Sequence, residues 1–389
     1  MKVSERISKR ERELPGARIE ELAKKGREPG FISLGPGEPD FPTPEPIVAY
    51  AKKLIAKCSH YTSAGGTEEF RKAAAAKLKK ENGIECGPEN IVATTGSTEG
   101  IFLSLACTMD PGEHVIVPDP GFLSYIPSIE LLGGHPVSLE LREEDGWNVD
   151  IDRLSSTIDR ERTRAVIINT PSNPTGTVFS KKRLEEIADV AVENDLLIIS
   201  DEAYEKFVYD DAVHVSIGSL NGISDRVITL QTFSKTFAMP GWRLGYVCAP
   251  AKIAEAIAKV HIYTSLNAPA LSQAAGAFAL AKLDRKYVER MREEYDKRRR
   301  LMAARLNEMG LPTAEPKGAF YTFSNVKELS SSSNHFVDVL LKKAKVAVIP
   351  GSEFGKFGEG YVRCSYATSM KQIEEALDRM EEALRHRWV

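Results

Sequence analysis

The run Thr232-Phe233-Ser234-Lys235-Thr236-Phe237-Ala238-Met239-Pro240-Gly241-Trp242-Arg243-Leu244-Gly245 sets one lysine between hydroxyls, with an arginine soon after. It follows the β-rich run Val227-Ile228-Thr229-Leu230, so Lys235 falls just past the carboxyl end of a strand, where open α/β sheets bind ligands. A partly desolvated lysine loses some of its preference for charge, and its neutral amine can attack a carbonyl to give a Schiff base. Thr232 and Ser234 can donate to phosphate oxygens, and Arg243 can clamp them bidentately. Gly241 and Gly245 let backbone come close. The chemistry expected is that of a lysine holding an aldehyde cofactor that carries a phosphate. On its own the segment is also compatible with a solvated lysine.

Three further segments end in polar residues in the same way. Leu196-Leu197-Ile198-Ile199-Ser200-Asp201-Glu202-Ala203-Tyr204 is a continuous apolar run, as for a strand buried on both faces, closed by a carboxylate and a phenol. Beneath a pyridine nitrogen, Asp201 would keep the ring protonated and able to accept electrons; alternatively it caps a following helix. Arg164-Ala165-Val166-Ile167-Ile168-Asn169-Thr170-Pro171-Ser172-Asn173-Pro174 runs from a strand into a turn, where Asn173 could donate to a ring oxygen or simply turn the chain. Ile91-Val92-Ala93-Thr94-Thr95-Gly96-Ser97-Thr98-Glu99-Gly100 reads as strand, small-residue turn and a helix starting near Thr98, whose free amides suit a phosphate. It lacks both the dinucleotide glycine pattern and the lysine-bearing P-loop pattern, so neither a nicotinamide cofactor nor ATP is indicated.

The elements that must position these residues alternate. From about Glu45 to Asp284, short β-rich runs and helical patterns succeed one another, the pattern of an α/β unit with a mostly parallel sheet between helices. A charged helix is expected from about Arg285 to Met309, with Lys297-Arg298-Arg299-Arg300 as a solvated face. Ala319-Phe320-Tyr321-Thr322-Phe323, Val346-Ala347-Val348-Ile349 and Tyr361-Val362-Arg363-Cys364 read as strands of a smaller α+β domain, and Ser330-Ser331-Ser332-Ser333 as a flexible loop. A chain of 389 residues exceeds the roughly 250–300 that one core serves, which agrees with two domains. A net charge of −3 offers no bulk attraction to nucleic acid or to an anionic membrane. The apolar runs are strand-sized, and Met1-Lys2-Val3-Ser4-Glu5-Arg6 has no apolar core, so a soluble, cytoplasmic protein is expected. Five scattered cysteines without Cys-x-x-Cys spacing argue for reduced thiols and against a zinc site.

Taken in order, Ile32-Ser33-Leu34-Gly35-Pro36-Gly37-Glu38-Pro39-Asp40-Phe41, His60-Tyr61-Thr62-Ser63-Ala64-Gly65-Gly66, the four segments above and Val362-Arg363-Cys364-Ser365-Tyr366-Ala367-Thr368 resemble the fold-type-I pyridoxal-phosphate enzymes. Within that class they look like the class I aminotransferases of the aspartate and aromatic amino acid group. The resemblance implies a large domain, residues 45–284, with a seven-stranded sheet, and a small α+β domain made of 1–44 with 285–389. It makes Lys235 the Schiff-base lysine, Asp201 the partner of the pyridine nitrogen, and Asn173 and Tyr204 the donors to the ring oxygen. Gly96, Ser97, Thr98, Thr232 and Arg243 would hold the phosphate, and Phe122 would stack on the ring. Tyr61 would reach the phosphate of a neighbouring subunit, which implies a homodimer with shared sites. Arg363 and Gly37 would hold the substrate α-carboxylate. A core aromatic remains open for Phe122 and a salt-bridged strand arginine for Arg363. The implied reaction passes the amino group of an L-amino acid to a 2-oxo acid, 2-oxoglutarate being the expected acceptor. A β-lyase, decarboxylase, racemase or non-catalytic regulator on the same fold is the alternative. Phe122 stands where aspartate enzymes often carry tryptophan or tyrosine, and Thr98 where several members place lysine or serine. No second arginine aligns with one that would meet a side-chain carboxylate. The pattern is closest to the archaeal-type aromatic or broad-specificity members.

Overall fold

The computed structural model describes residues 6–14 and 18–385, so the Met1–Arg6 run lies, Arg6 apart, outside the described residues. Seven strands form the central sheet: β2 (Ile91–Thr94), β3 (His114–Asp119), β4 (His135–Glu140), β5 (Thr163–Asn169), β6 (Leu197–Asp201), β7 (Val227–Thr232) and β8 (Gly245–Cys248). A short strand, β1 (Ile32–Ser33), precedes them, and β9 (Tyr321–Asn325), β10 (Val346–Ala347), β11 (Ile349–Pro350) and β12 (Tyr361–Ser365) follow. The central order is β2-β8-β7-β6-β5-β3-β4, and every pairing is parallel except the two that β8 makes. The expected mostly parallel sheet of seven strands is therefore present.

Alternation along the strands explains why the interior runs read as unbroken apolar sequence. Ile116, Val166 and Ile198 point into one core with Leu184 and Ile187 of the helix Lys181–Glu193. Val117, Ile167 and Ile199 point into another with Leu103 and Leu105 of the helix Ser97–Thr108. Each such side chain, wholly removed from water, contributes about 1.5–3 kcal/mol, and covering both faces leaves only the strand ends to carry polar groups. In register, Asn169 pairs with Asp201, and Gly245 pairs with both Thr94 and Thr232, so the ends of five neighbouring strands meet along one edge.

Beyond residue 285 the helix Lys286–Glu308 leads to an antiparallel sheet ordered β11-β12-β9, while β10 pairs in parallel with β1. The run Val346–Ile349 is thus two strands in two sheets. Two expectations are corrected. Arg298 and Arg299 are buried, at 5% and 0% exposure, because Arg298 pairs with Asp40 and Glu294 and Arg299 with Asp210, Asp296 and Glu315. Only part of that basic run faces water. Ser330–Ser333 is not simply a loop: Ser332 caps the helix Ser333–Val339 by accepting from His335 N, and buried Ser333 donates to Glu359. Among the described residues no helix is long and apolar enough to cross a membrane.

Candidate active site

Lys235 lies on the one-turn helix Phe233–Thr236, which β7 enters directly and which Thr232 caps by accepting from Ser234 N at 3.2 Å. Its Nζ donates to the Gly37 carbonyl and sits 5.8 Å from the Tyr204 ring centroid and 5.7 Å from that of Phe320. Burial pulls the amine down to about 8; the Arg363 charge adds to this, and Glu38 and Asp201 oppose it. Asp201 ends β6. Its Oδ2 accepts from Tyr125 Oη at 2.8 Å and its Oδ1 from Ala203 N at 3.2 Å. Burial raises its pKa, and these two donors work against the rise. The residues after it, Ala203–Lys206, form a turn, so Asp201 caps no helix.

Arg363, on β12 and 2% exposed, donates from Nη1 to Asn173 Oδ1 at 2.9 Å and from Nη2 to Gly35 O at 2.7 Å. Its Nε is buried without a partner, and among the described residues it meets no carboxylate. The rings of Tyr321 and Phe354 lie 4.3 and 4.7 Å from the guanidinium carbon. Arg243 takes a left-handed conformation, φ 51°, and donates to Pro240 O at 3.0 Å and Thr95 O at 3.1 Å, again with no carboxylate. Gly96, at φ 80°, makes room for it: a Cβ there would stand 2.5 Å from Arg243 Nη2. At Gly245 a Cβ would stand 2.8 Å from Ser97 N, so these glycines let β8, the turn and the helix N-terminus close together.

These groups converge on a cavity of about 330 Å³. Ser97, Thr98, Thr232, Ser234 and Arg243 line it together with Asp201, Asn173, Tyr204 and Lys235, and with Phe122 and the segment Pro36–Glu38. Gly96 and Arg363 stand directly behind, through Arg243 and Asn173. Tyr61 is not brought in: it is 83% exposed and lines no part of this cavity. A larger cavity of about 650 Å³ contains neither Lys235 nor Asp201.

The family model described as aminotransferase class I and II matches residues 29–380. The chain belongs to this family. It is similar to the aspartate aminotransferase of Pyrococcus abyssi, 50% identical over 92% of each chain, and to aromatic-amino-acid aminotransferase 2 of Thermococcus litoralis, 49% identical over 92% of each. Among solved structures, the aromatic aminotransferase from Pyrococcus horikoshii OT3 superposes with a TM-score of 0.90 at 49% identity, covering 94% of this chain and 99% of that one.

Other residues of this aminotransferase site escape a reading by strand ends. Tyr125 reaches Asp201, and Tyr204 Oη meets Tyr321 Oη at 2.8 Å, both pairs fully within the protein. Asn169 holds the turn: its Oδ1 accepts from Asn173 N at 2.7 Å and its Nδ2 donates to Asp201 O at 2.9 Å. A buried phenol usually finds a partner, yet nothing in the local sequence says which one. Arg27 and Glu38, both exposed, also line the cavity.

Proposed function

We propose that this aminotransferase uses pyridoxal 5′-phosphate to pass the amino group of an L-amino acid, of aspartate or aromatic type, to a 2-oxo acid, with 2-oxoglutarate as acceptor. The observation that carries the reading is one cavity in which a lysine amine near pKa 8 shares the lining with a buried carboxylate and Arg243, with Arg363 behind Asn173, neither arginine having a carboxylate partner among the described residues. The residues fit the cofactor on their own geometry. Arg243 and the amides at the start of Ser97–Thr108 offer an anion cradle that the missing side chain of Gly96 keeps open, and buried Arg363 has an Nε still to be satisfied.

When bound, pyridoxal phosphate supplies an aldehyde and a ring that takes up the electron pair released at the substrate Cα. The chain's residues then divide the work. Gly96, Ser97, Thr98, Thr232 and Arg243 would hold the phosphate, Phe122 would cover the ring face, and Asp201 would keep a proton at the ring nitrogen. Asn173 Oδ1 accepts from Arg363 Nη1, which would leave its Nδ2 to donate to the ring oxygen beside Tyr204. Arg363 grips the substrate α-carboxylate near the Gly37 backbone. Lys235 would hold the aldehyde and, as general base, would take the Cα proton and deliver it to the carbon that bore the aldehyde. Completion of the site by Tyr61 of a second copy, as a homodimer, belongs to the same proposal. So does the division into 45–284 and 1–44 with 285–389, which the pairing of β1 with β10 supports.

The test is an absorption spectrum of the protein loaded with pyridoxal phosphate, with aspartate, phenylalanine, tyrosine or alanine added singly and no oxo acid. Conversion of the yellow lysine-bound form to the colourless amine form by one donor is expected, and Lys235→Ala abolishes it in a folded protein. Appreciable transamination by Lys235→Ala would sink the assignment.

A further inference from the structure

One wall of the larger cavity, about 650 Å³, is made by Thr232, Phe233, Thr236 and Phe237, the residues on either side of Lys235, whose own side chain lines the first cavity. Other walls come from the end of the helix Ala270–Lys282, the start of Lys286–Glu308 and the end of the helix Glu68–Lys77, where Ala73 and Ala76 lie. Phe237, Leu280, Leu283 and Val288 are half-buried there, and Phe237 stacks on Phe233 with ring centroids 5.2 Å apart. An apolar lining of this size with a few polar groups suits a small molecule. The buried charges are already matched: Lys77 pairs with Glu205, to which Gln231 also donates at 3.1 Å. Tyr246, 2% exposed, keeps an Oη with no partner. The outer charges are not matched. Six basic side chains line the cavity against four acidic ones, and although Lys206 and Arg285 both pair with Glu81, Lys80, Lys282 and Arg292 make no ion pair among the described residues.

We propose that this cavity is a second small-molecule site, for an organic acid that joins an aromatic ring to a carboxylate, the ring packing on Phe237 and Leu283 and the carboxylate meeting Lys80 and Arg292. The half-buried apolar walls favour a ring over a purely polar anion, and the surplus of cations favours an acid over a neutral ring. The site is separate from the first cavity and depends on no step of the reaction there. Phe237 N donates to Phe233 O at 3.2 Å to close the turn that carries Lys235, so a ligand seated on Phe237 touches the segment that holds the lysine.

The experiment titrates 2-naphthoate by calorimetry into the full chain saturated with phosphopyridoxyl-phenylalanine, a non-reacting adduct of cofactor and amino acid that fills the first cavity. One naphthoate per chain is expected, and acetate, which has the charge without the ring, does not displace it. In the double variant Lys80→Glu with Arg292→Glu the naphthoate Kd rises about tenfold or more, as expected for lost charge-assisted contacts. Ala76→Trp, which places a ring in the cavity, removes binding, and both variants keep the wild-type affinity for the adduct. No naphthoate bound to the wild type, as when a second copy of the chain already covers the groove, overturns the proposal, and so does a Kd unchanged in both variants. An adduct that fails to bind would instead overturn the aminotransferase reading, with the two variants still judging the naphthoate site.

Discussion

A lysine amine with a pKa near 8 needs surroundings that penalise its charge, and at Lys235 burial and the nearby Arg363 outweigh the attraction of Glu38 and Asp201. The direction has a measurable consequence in protein freed of cofactor. The amine's ordinary value is 10.5, and in the fold it is lowered to about 8, so the neutral nucleophilic form grows as pH rises through about 8. Between those values the unfolded chain binds a proton that the folded one does not, so this group's contribution to stability also increases with pH across that window. The rate at which apoprotein captures pyridoxal phosphate, followed by stopped-flow absorbance from pH 6 to 10, should rise with a midpoint of about 8. A midpoint near 10 would show that Lys235 is not desolvated. Lys235, Asp201, Asn173 and Thr232 were legible in the sequence because each lies at or just past an apolar run, and strand ends of a sheet covered on both faces must be polar. Tyr125, Tyr321 and Arg27 were not. Their partners or neighbours in the site lie far off in the chain, 76 residues for Tyr125 and Asp201 and 117 for Tyr204 and Tyr321, and no local pattern encodes such a meeting.

At the level of elements, the helix Lys286–Glu308 shows how a charge run can mislead. Its buried positions include Met291, Tyr295, Arg298, Arg299, Met302 and Leu306, a stripe at helical spacing in which the two arginines occupy core-facing sites. The spacing was available in the sequence; the carboxylates that make burial tolerable, Asp40, Asp210 and Glu315, come from elsewhere in the chain and were not. Arg299 also donates to Pro316 O at 2.9 Å and lies 4.8 Å from the Tyr209 ring centroid, so it ties the helix to the turn after β6 and to the approach to β9. Removing one partner of a buried pair costs about 3 kcal/mol or more. Arg299→Ala should therefore lower the unfolding free energy by about 3 kcal/mol in urea titration, and a loss below about 1 kcal/mol would mean that the network acts like a surface pair. Ser332 makes the complementary point: four serines look featureless as composition, but one of them preceding the helix Ser333–Val339 is a cap.

For the whole molecule the open matter is what meets Tyr61. It is 83% exposed, and His261 Nδ1 lies 2.8 Å from Ala64 O, which holds the Tyr61–Ala64 segment beside the end of the helix Ala251–Ile262, where Ile262 and Tyr263 are 47% and 82% exposed. Large apolar side chains clustered on one surface commonly mark an interface, and the proposed homodimer would cover these and carry Tyr61 to the neighbour's phosphate. If sites are shared in this way, two different defects can cancel between subunits. Lys235→Ala leaves a chain that cannot react but still offers Tyr61, and Tyr61→Ala leaves a chain that keeps Lys235 but offers its neighbour no phenol. In a mixed dimer of the two, one site combines Lys235 from the second chain with Tyr61 from the first and is complete, while the other site carries both defects. Dissociating and reassembling the two variants together should restore cofactor affinity and turnover in that one site per mixed dimer, above the level of either variant alone. Activity that stays at the simple average of the two variants would mean that Tyr61 serves only its own chain or none, and a monomer by light scattering would remove the shared site altogether.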